Sequence, residues 1–312
     1  MVTANRSARG RLKDCELRVT ADLKPRSFAT ALHHAQEVAA NGIAQALTGA
    51  EGPVAAAMLY ATRGGKGLRA FLALESARLH GFDAAAAAPA AAAIEAMHGY
   101  SLIHDDLPCM DDDDLRRGQP SVHRRWDETT AVLSGDALQA LAFQLIAQVG
   151  CPPQQQVSLV LSLAQAAGVR GMVGGQALDI AAESAAEPLT LAEITGLQSG
   201  KTGALIEWAA SVGPRMAGAD ITALSRYAAD LGLAFQIADD ILDVEGDAAE
   251  MGKAVGKDDA AGKATFVSLL GLEAARRRAG ELAESACDAL SPYGEDAATL
   301  RDAARFVIAR QN

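Results

Sequence analysis

The sequence contains little cysteine, few aromatic residues and a deficit of positive charge. Its four cysteines lie far apart among 312 residues and form no CxxC or Cys/His spacing, so neither a zinc site nor a disulfide framework is indicated. The formal net charge of −11 argues against a nucleic-acid partner, because proteins that bind nucleic acid usually present a basic surface. An anionic substrate remains compatible with this charge if a metal ion lies between it and the acidic side chains.

Signals for targeting and for membrane insertion are also lacking. The first 27 residues carry charges of both signs and have no apolar core of a signal peptide. No run of 18 apolar residues is free of charge, so we expect no membrane-spanning helix. These features favour a cytoplasmic protein.

Alanine is abundant, together with leucine and glutamate, and all three favour helix. Sustained alternation of apolar and polar residues, which would indicate strands, does not occur. Glycine and proline interrupt the apolar segments at intervals that suit helix ends. We therefore predict one all-α domain of roughly ten or more helices over residues 28–312, preceded by a poorly ordered segment, 1–27. Within the alanine-rich stretch 84–93, Pro89 predicts the start of a helix.

The first chemically unusual cluster follows an apolar, helix-like stretch. Six aspartates lie within ten positions, namely Asp105, Asp106 and the run 111–114. Two carboxylates about 4 Å apart repel by about 4 kcal/mol near a protein surface, so the cluster is either fully solvated or neutralised by cations. Oxygen-only ligands suit a hard cation such as Mg²⁺. A calcium-binding EF-hand loop fits poorly, because its fifth and twelfth positions, counted from Asp111, are Leu115 and Val122.

The second cluster lies about 130 residues further along the chain. Asp239 and Asp243 are four residues apart and so share one face of a predicted helix, with Asp240 beside them. The apolar residues around them indicate a mostly buried helix, in which three carboxylates without a counter-charge would be costly. Ordinary surface acids at a helix end are the simpler interpretation. Two clusters in one chain favour instead Mg²⁺ ions that take their remaining ligands from substrate phosphates.

In this combination the chain resembles the trans-isoprenyl diphosphate synthases, most closely the bacterial short-chain farnesyl diphosphate synthases. The resemblance covers nearly the whole chain from about residue 28. It rests on motifs in family order: Gly64-Gly65-Lys66, Arg69, His98, Asp105-Asp106 with Asp111, Arg116-Arg117-Gly118, Gly175-Gln176 with Asp179, Lys201-Thr202-Gly203, Phe235-Gln236 with Asp239-Asp240 and Asp243, and Gly252-Lys253 with Lys263.

The resemblance implies an all-α fold around a central catalytic cavity, a homodimer, and three Mg²⁺ ions per active site. It implies that the metal ligands are Asp105, Asp106, Asp111, Asp239, Asp240 and Asp243. It assigns the allylic diphosphate to Arg116, Lys201 and Lys253, with Lys263 as a further substrate-binding residue. It assigns isopentenyl diphosphate to Lys66, Arg69, His98 and Arg117.

The implied reaction joins the two substrates head to tail through an allylic cation, which Thr202, the backbone near Lys201 and Gln236 stabilise through their dipoles. Arg116 and Lys201 assist departure of the diphosphate, which metal ions and fixed cations stabilise. The chain departs from the family at Gly67, where an arginine is common, and at Ala70, where proline is common. Ser199-Gly200-Lys201-Thr202 imitates a P-loop, but the first glycine of that motif would fall at Thr195 and no strand is predicted before it.

Product length should depend on the residues one turn before Asp105. Ser101 is small and Tyr100 is bulky, and in the resembled family an aromatic here, with the two-residue insertion Pro108-Cys109, accompanies a C15 product. Pro108 also favours a local bulge that would keep Asp111 with the other metal ligands. We therefore predict farnesyl diphosphate as the product, with geranylgeranyl diphosphate as the alternative.

Two further alternatives are weaker. A terpene cyclase typically carries asparagine and serine in its second metal motif, whereas this second motif is all aspartate. A non-catalytic synthase subunit tends to lose its aspartates or basic residues, and this chain keeps both sets.

Overall fold

The computed structural model describes residues 24–183, 188–245 and 265–309. Within these ranges the chain is almost entirely helical. The helices are α1 (Phe28–Ala46), α2 (Pro53–Ala61), α3 (Leu68–Leu79), α4 (Ala84–Asp105), α5 (Val122–Arg125), α6 (Glu128–Ile146), α7 (Pro153–Ala167), α8 (Met172–Glu183), α9 (Leu191–Gln198), α10 (Ala204–Ala210), α11 (Val212–Ala217), α12 (Thr222–Glu245), α13 (Phe266–Leu270), α14 (Leu272–Ala289) and α15 (Ala298–Ala309). A π-helical turn, Ser199–Gly203, joins α9 to α10, and a 3₁₀ segment, Ser291–Ala297, precedes α15.

Helix α4 lies at the centre of the larger core and packs against α1, α2, α3, α6 and α10. Its alanines from 90 to 93 are fully buried, as are Ile94 and Met97. Small side chains let neighbouring helices approach closely: a Cβ atom placed on Gly42 of α1 would lie 2.8 Å from the Ala92 Cβ. The abundance of alanine is therefore a packing feature of the central helix.

A second, smaller core forms around α12, where Ile194, Ala234, Ile237 and Phe266 are buried together. Helix α12 packs against α14 along its length and also contacts the π-helical turn. This packing fixes the helix that carries the second aspartate cluster next to the segment that carries Lys201.

The prediction of an all-α fold with roughly ten or more helices is confirmed. In the described ranges the only strands are β1 (Leu115–Arg116) and β2 (Gln119–Pro120), which pair as an antiparallel hairpin. Helix α1 begins at Phe28, with Ser27 as its N-cap. The predicted disorder of residues 1–27 falls largely outside the described residues, so it stays a prediction.

The predicted helix start at Pro89 is wrong. Helix α4 begins at Ala84 and contains Pro89 in its second turn. The start is set by Asp83, whose side chain accepts a hydrogen bond from the Ala86 amide at 2.8 Å. A capping carboxylate satisfies an amide that has no partner within the helix, which outweighs the preference of proline for the first turn.

One stretch, Pro153–Ala182, is long and apolar enough to cross a membrane by length and composition alone. It comprises α7 and all but the last residue of α8, and Gly168 between the two helices adopts an extended conformation. One third of the most apolar 18-residue segment within this stretch is buried inside the fold.

Candidate active site

A cavity of about 350 Å³ lies between α4, α8 and the π-helical turn. Residues from the first aspartate cluster, the basic motifs and the Lys201 motif meet in its wall. The wall consists of Arg69, His98, Tyr100, Ser101, Leu102, His104, Asp105, Met110, Met172, Val173, Gln176, Ala177, Ile180, Lys201 and Thr202.

The basic part of the wall is built around Arg69. Its Nε atom is buried and has no hydrogen-bond partner among the described residues. Burial lowers the pKa of Arg69, the charge of Glu95 offsets part of this effect, and Arg117 adds to it. Burial and the neighbouring arginines 69, 117 and 116 also hold the pKa of His98 well below its ordinary value of 6.5. A neutral imidazole beside a buried guanidinium whose Nε atom has no partner among the described residues is suited to binding an anion.

The loop before α3 explains both departures from the resembled family. Gly67 has a φ of +68°, and a Cβ atom there would lie 2.5 Å from the Gln36 Cγ atom, so a larger residue would be strained. The Gln36 amide donates hydrogen bonds to the carbonyls of Gly65 and Lys66, at 3.3 and 3.0 Å. The backbone amide of Ala70 donates to Glu95 at 3.0 Å, a bond that proline cannot make.

The first aspartate cluster begins where α4 ends. The Asp111 amide donates to the carbonyl of Asp105 at 2.8 Å, and Asp112 has a φ of +48°, so the insertion forms a closed turn. This turn brings Asp111 back beside Asp105, as the predicted bulge required. Burial raises the pKa of Asp105 to about 6, with Asp111 adding to the rise and Lys201 opposing it. A cation close to Asp105 would therefore stabilise the ionised form of its carboxyl group.

A two-residue turn in the hairpin orients the paired arginines. Arg117 and Gly118 have φ values of +54° and +72°, as a type I′ turn requires. Arg116 faces the aspartates and forms an ion pair with Asp106, with a second contact to Asp113 at 3.4 Å. Arg117 points the other way and donates to the carbonyl of Arg63 at 2.8 Å. The hairpin thus places Arg116 in the acidic part of the site and Arg117 in the basic part.

The segment that imitates a P-loop is a π-helical turn, and a helix precedes it instead of a strand. Such turns are rare and often occur at functional sites. The Lys201 Nζ atom lies 2.6 Å from a carboxylate oxygen of Asp179 on α8. A Cβ atom on Gly175 would lie 2.0 Å from the Lys201 backbone nitrogen. The Gly175–Asp179 motif therefore permits close approach of α8 and holds the lysine in place.

The second aspartate cluster lies on α12 and does not line this cavity. Asp239, Asp240 and Asp243 are partly buried there. Asp240 accepts a hydrogen bond from the Phe266 amide at 2.7 Å. The Gln236 amide donates to the Gln198 side chain at 2.7 Å, which places Gln236 beside the π-helical turn.

The chemistry of the two clusters fits Mg²⁺. Within the described ranges, no group of three or more histidine, cysteine, aspartate or glutamate side chains could hold a metal ion by itself. Mg²⁺ commonly uses one or two carboxylates and completes its coordination with water and substrate phosphates. The donors therefore suit an ion that binds together with a diphosphate.

Of the predicted site residues, the cavity wall brings together Arg69, His98, Asp105, Lys201 and Thr202. Asp106, Asp111, Arg116 and Arg117 lie in the adjoining loops, and Lys66, Gln236 and the α12 aspartates lie outside the wall. Lys253 and Lys263 lie outside the described residues. The roles of all these residues stay predictions.

Sequence reasoning missed the part of the wall that α8 provides. Val173, Ala177 and Ile180 recur at a spacing of three to four residues, which marks a single helix face. That pattern was visible in the sequence, but nothing in it distinguishes a cavity wall from a packed core. Met172, at the start of α8, is both buried and part of the wall.

Comparison with known proteins agrees with this arrangement. The family model described as Polyprenyl synthetase matches residues 52–296. Farnesyl diphosphate synthase from Escherichia coli (strain K12) is 44% identical over 269 residues, which are 83% of this chain and 89% of that protein. Geranylgeranyl pyrophosphate synthase 11, chloroplastic, from Arabidopsis thaliana is 42% identical over 257 residues, which are 80% of this chain and 72% of that protein.

Among solved structures, the apo crystal structure of an FPP/GFPP synthase from Zymomonas mobilis is 43% identical, with a TM-score of 0.82. The alignment covers 90% of this chain and 99% of that structure. The family model spans most of the chain, and the fold and the order of motifs agree with it. The predicted resemblance is thus confirmed, and the chain belongs to the polyprenyl synthetase family.

Proposed function

We propose that this protein is a short-chain prenyltransferase that condenses isopentenyl diphosphate with dimethylallyl and then geranyl diphosphate to give farnesyl diphosphate. The observation that carries the proposal is the cavity itself. The wall of one cavity carries an anion-binding group, Arg69 and His98, a second polar group, Asp105, Lys201 and Thr202, and apolar side chains of α8. In our proposal the two polar groups bind the two diphosphates, and the apolar side chains accommodate the hydrocarbon part of the allylic substrate.

The two polar groups have different tasks. Arg69, His98, Arg117 and Lys66 retain a diphosphate that stays attached to its carbon chain, so fixed positive charge is sufficient there. The other diphosphate departs, and its charge grows in the transition state. Lys201 and Arg116 stabilise that charge where it develops.

Asp105, Asp106, Asp111, Asp239, Asp240 and Asp243 would hold Mg²⁺, in our proposal three ions, which supply charge neutralisation for the departing diphosphate. Lys253 and Lys263 are proposed as further contacts to substrate. Thr202 and Gln236 orient their dipoles toward the allylic cation, and the apolar wall keeps water away from it.

The experiment is a condensation assay with purified protein, Mg²⁺, isopentenyl diphosphate and dimethylallyl diphosphate. We expect diphosphate release only when both substrates are present, with a C15 main product after dephosphorylation and chromatography. A mainly C20 product would identify the geranylgeranyl alternative. Diphosphate release from the allylic substrate alone would indicate a terpene cyclase. A lack of release under every condition would indicate a non-catalytic subunit.

We also propose a homodimer. Val157 and Leu161 lie one turn apart on α7 and are 66% and 59% exposed, and Val132 and Leu133 of α6 are exposed as well. Apolar residues grouped on a surface often mark a subunit interface. Sedimentation equilibrium should give twice the mass of the chain, and Leu161→Glu should shift the equilibrium toward the monomer. A monomer of full activity would contradict the proposal.

A further inference from the structure

Gln176 is a polar residue that the proposed mechanism does not use. It lies on α8 and is only 8% exposed. Neither its side-chain oxygen nor its side-chain nitrogen has a hydrogen-bond partner within the described ranges. Its side chain lines the substrate cavity, next to the apolar side chains of Val173, Ala177 and Ile180.

A buried amide with neither atom bonded is unfavourable in the folded protein, because it has lost its hydrogen bonds to water. An apolar side chain of the same length would fill this position at lower cost. Groups of this kind often have a role outside folding, and the natural candidate is a ligand that enters the cavity. The cavity wall places that ligand within reach of Gln176.

The position of Gln176 along α8 relates it to the reacting end of the cavity. The preceding residue, Gly175, is packed so closely on the π-helical turn that a Cβ atom there would lie 2.6 Å from the Lys201 Cα atom. Asp179, three residues later, binds the Lys201 ammonium group at 2.6 Å. Gln176 lies between these two contacts and shares the cavity wall with Lys201 and Thr202.

We propose that Gln176 is a further catalytic residue, whose side-chain carbonyl oxygen contacts the allylic substrate and stabilises the cation formed from it. This inference rests on the proposed function. The bond between the allylic carbon and the diphosphate oxygen breaks, and its electron pair leaves with the diphosphate. The double bond of isopentenyl diphosphate then supplies two electrons for the new carbon–carbon bond. Loss of a proton to the released diphosphate restores a double bond.

The carbonyl dipole acts where positive charge develops. In a cavity that excludes water, a fixed dipole stabilises a transient charge more strongly than in solution. The same dipole contributes little to binding the neutral hydrocarbon part of the ground-state substrate. The proposal therefore predicts an effect on kcat with little change in KM.

The test is Gln176→Met, which keeps the length of the side chain and removes its polar atoms. We expect kcat to fall about 100-fold or more, in line with the loss of one preorganised polar group, while KM for each diphosphate stays within about threefold. Because the unsatisfied amide is removed, the melting temperature of the free protein should stay the same or rise. Gln176→Glu, which keeps an oxygen at the same place, should retain more activity than Gln176→Met.

The matched control is Gln155→Met. Gln155 also has a buried amide oxygen without a partner in the described part of the chain, but it does not line the cavity. The same replacement there should leave kcat unchanged, so the control separates the effect of removing a buried amide from an effect on the reaction.

A binding measurement distinguishes a catalytic role from a structural one. The two probes are a diphosphate ester that carries an ammonium nitrogen in place of the cationic carbon, and an unreactive thio analogue of dimethylallyl diphosphate, whose hydrocarbon part is neutral. Gln176→Met should weaken binding of the ammonium probe at least about tenfold, with binding of the thio analogue within about threefold of wild type.

Equal weakening for both probes, or an unchanged kcat, would overturn the inference. If Gln176→Met does not fold, the Gln176→Glu protein carries the same comparison, and a loss of ammonium-probe binding there would also overturn it. Condensation by the wild-type enzyme tests the proposed function separately, so its failure would not be confused with failure of the role of Gln176.

Discussion

The imidazole of His98 illustrates how a single side chain takes its properties from its neighbours. Burial, followed by the charges of Arg69, Arg117 and Arg116, keeps its pKa well below 6.5 in the folded protein. The unfolded chain has no such environment, so it takes up the proton first as the pH falls. The contribution of His98 to the free energy of unfolding is therefore fully present above about pH 6.5. It is lost as the pH falls toward the pKa that His98 has in the folded protein.

We expect His98→Gln to remove this acid sensitivity. Below about pH 6.5 the free energy of unfolding of the wild type should fall, relative to the variant, by up to about 1.4 kcal/mol per pH unit. Urea unfolding at several values between pH 5 and 8 measures the difference. His33→Gln is the control, because the His33 side chain is 72% exposed. Parallel pH profiles for wild type and His98→Gln would contradict the prediction.

Tyr100 is the side chain that we expect to set product length. It is 5% exposed, lines the cavity, and packs edge-on against His104 with ring centroids 5.7 Å apart. Tyr100→Ala would extend the cavity, so the ratio of C20 to C15 product should rise about tenfold or more. Chromatography of dephosphorylated products measures the ratio, with Tyr293→Ala, remote from the cavity wall, as the control. An unchanged ratio would show that Tyr100 does not limit the length of the product.

At the scale of single residues, the sequence predicted which side chains line the cavity better than it predicted which of them contact one another. The motifs placed Arg69, His98, Asp105, Lys201 and Thr202 in one site, and the structure brings all five to one wall. The ion pair between Arg116 and Asp106 was not predictable, because it depends on the hairpin turn that reverses the chain at Arg117. The role of Asp179 was likewise hidden, since its partner lies 22 residues away in sequence.

Among the helices and turns, the contact between α8 and the π-helical turn positions Lys201 in the site. The sequence shows Gly175 only as a motif residue, whereas the structure shows that any side chain there would overlap the backbone of Lys201. The motif predicted neither the π-helical geometry nor this close approach, because both arise from packing between segments distant along the chain. Sequence patterns specified the existence of the helices, and tertiary contacts specified how they end and meet.

Gly175→Ala should therefore separate α8 from the turn. We expect a loss of about 1–3 kcal/mol in the free energy of unfolding, typical of overpacking, and a lower kcat because Lys201 and Asp179 move apart. Gly196→Ala on α9 is the matched control, since the added methyl group would meet no described atom within 4 Å apart from its chain neighbours and the backbone of its own helix. Its stability should rise by up to about 1 kcal/mol. Equal stability of the two variants would show that α8 can shift without cost.

For the whole molecule, the acidic net charge and the anionic substrates are reconciled by where the charges lie. The basic side chains Arg69, Arg116, Arg117 and Lys201 are concentrated around one cavity, although the chain as a whole carries a net charge of −11. Composition alone predicted no nucleic-acid partner but could not locate the positive charge. That distribution follows from the fold, which brings α3, α4, α8 and the hairpin together.

The division of the proposed metal ligands between two aspartate clusters predicts a cooperative response to Mg²⁺ and diphosphate. No group of three acidic, histidine or cysteine side chains in the described ranges could hold an ion by itself, so Mg²⁺ alone should bind weakly. With inorganic diphosphate present, ion and anion complete each other's coordination. A ligand at 100 times its Kd adds about 2.7 kcal/mol to the free energy of unfolding, so the melting temperature should rise with both together by more than the sum of the separate shifts.

Asp105→Asn should abolish most of this excess, whereas Asp136→Asn, on the exposed surface of α6, should not. If Mg²⁺ alone produced the full shift, the ion would have a protein site complete without substrate, and the diphosphate would not be one of its ligands.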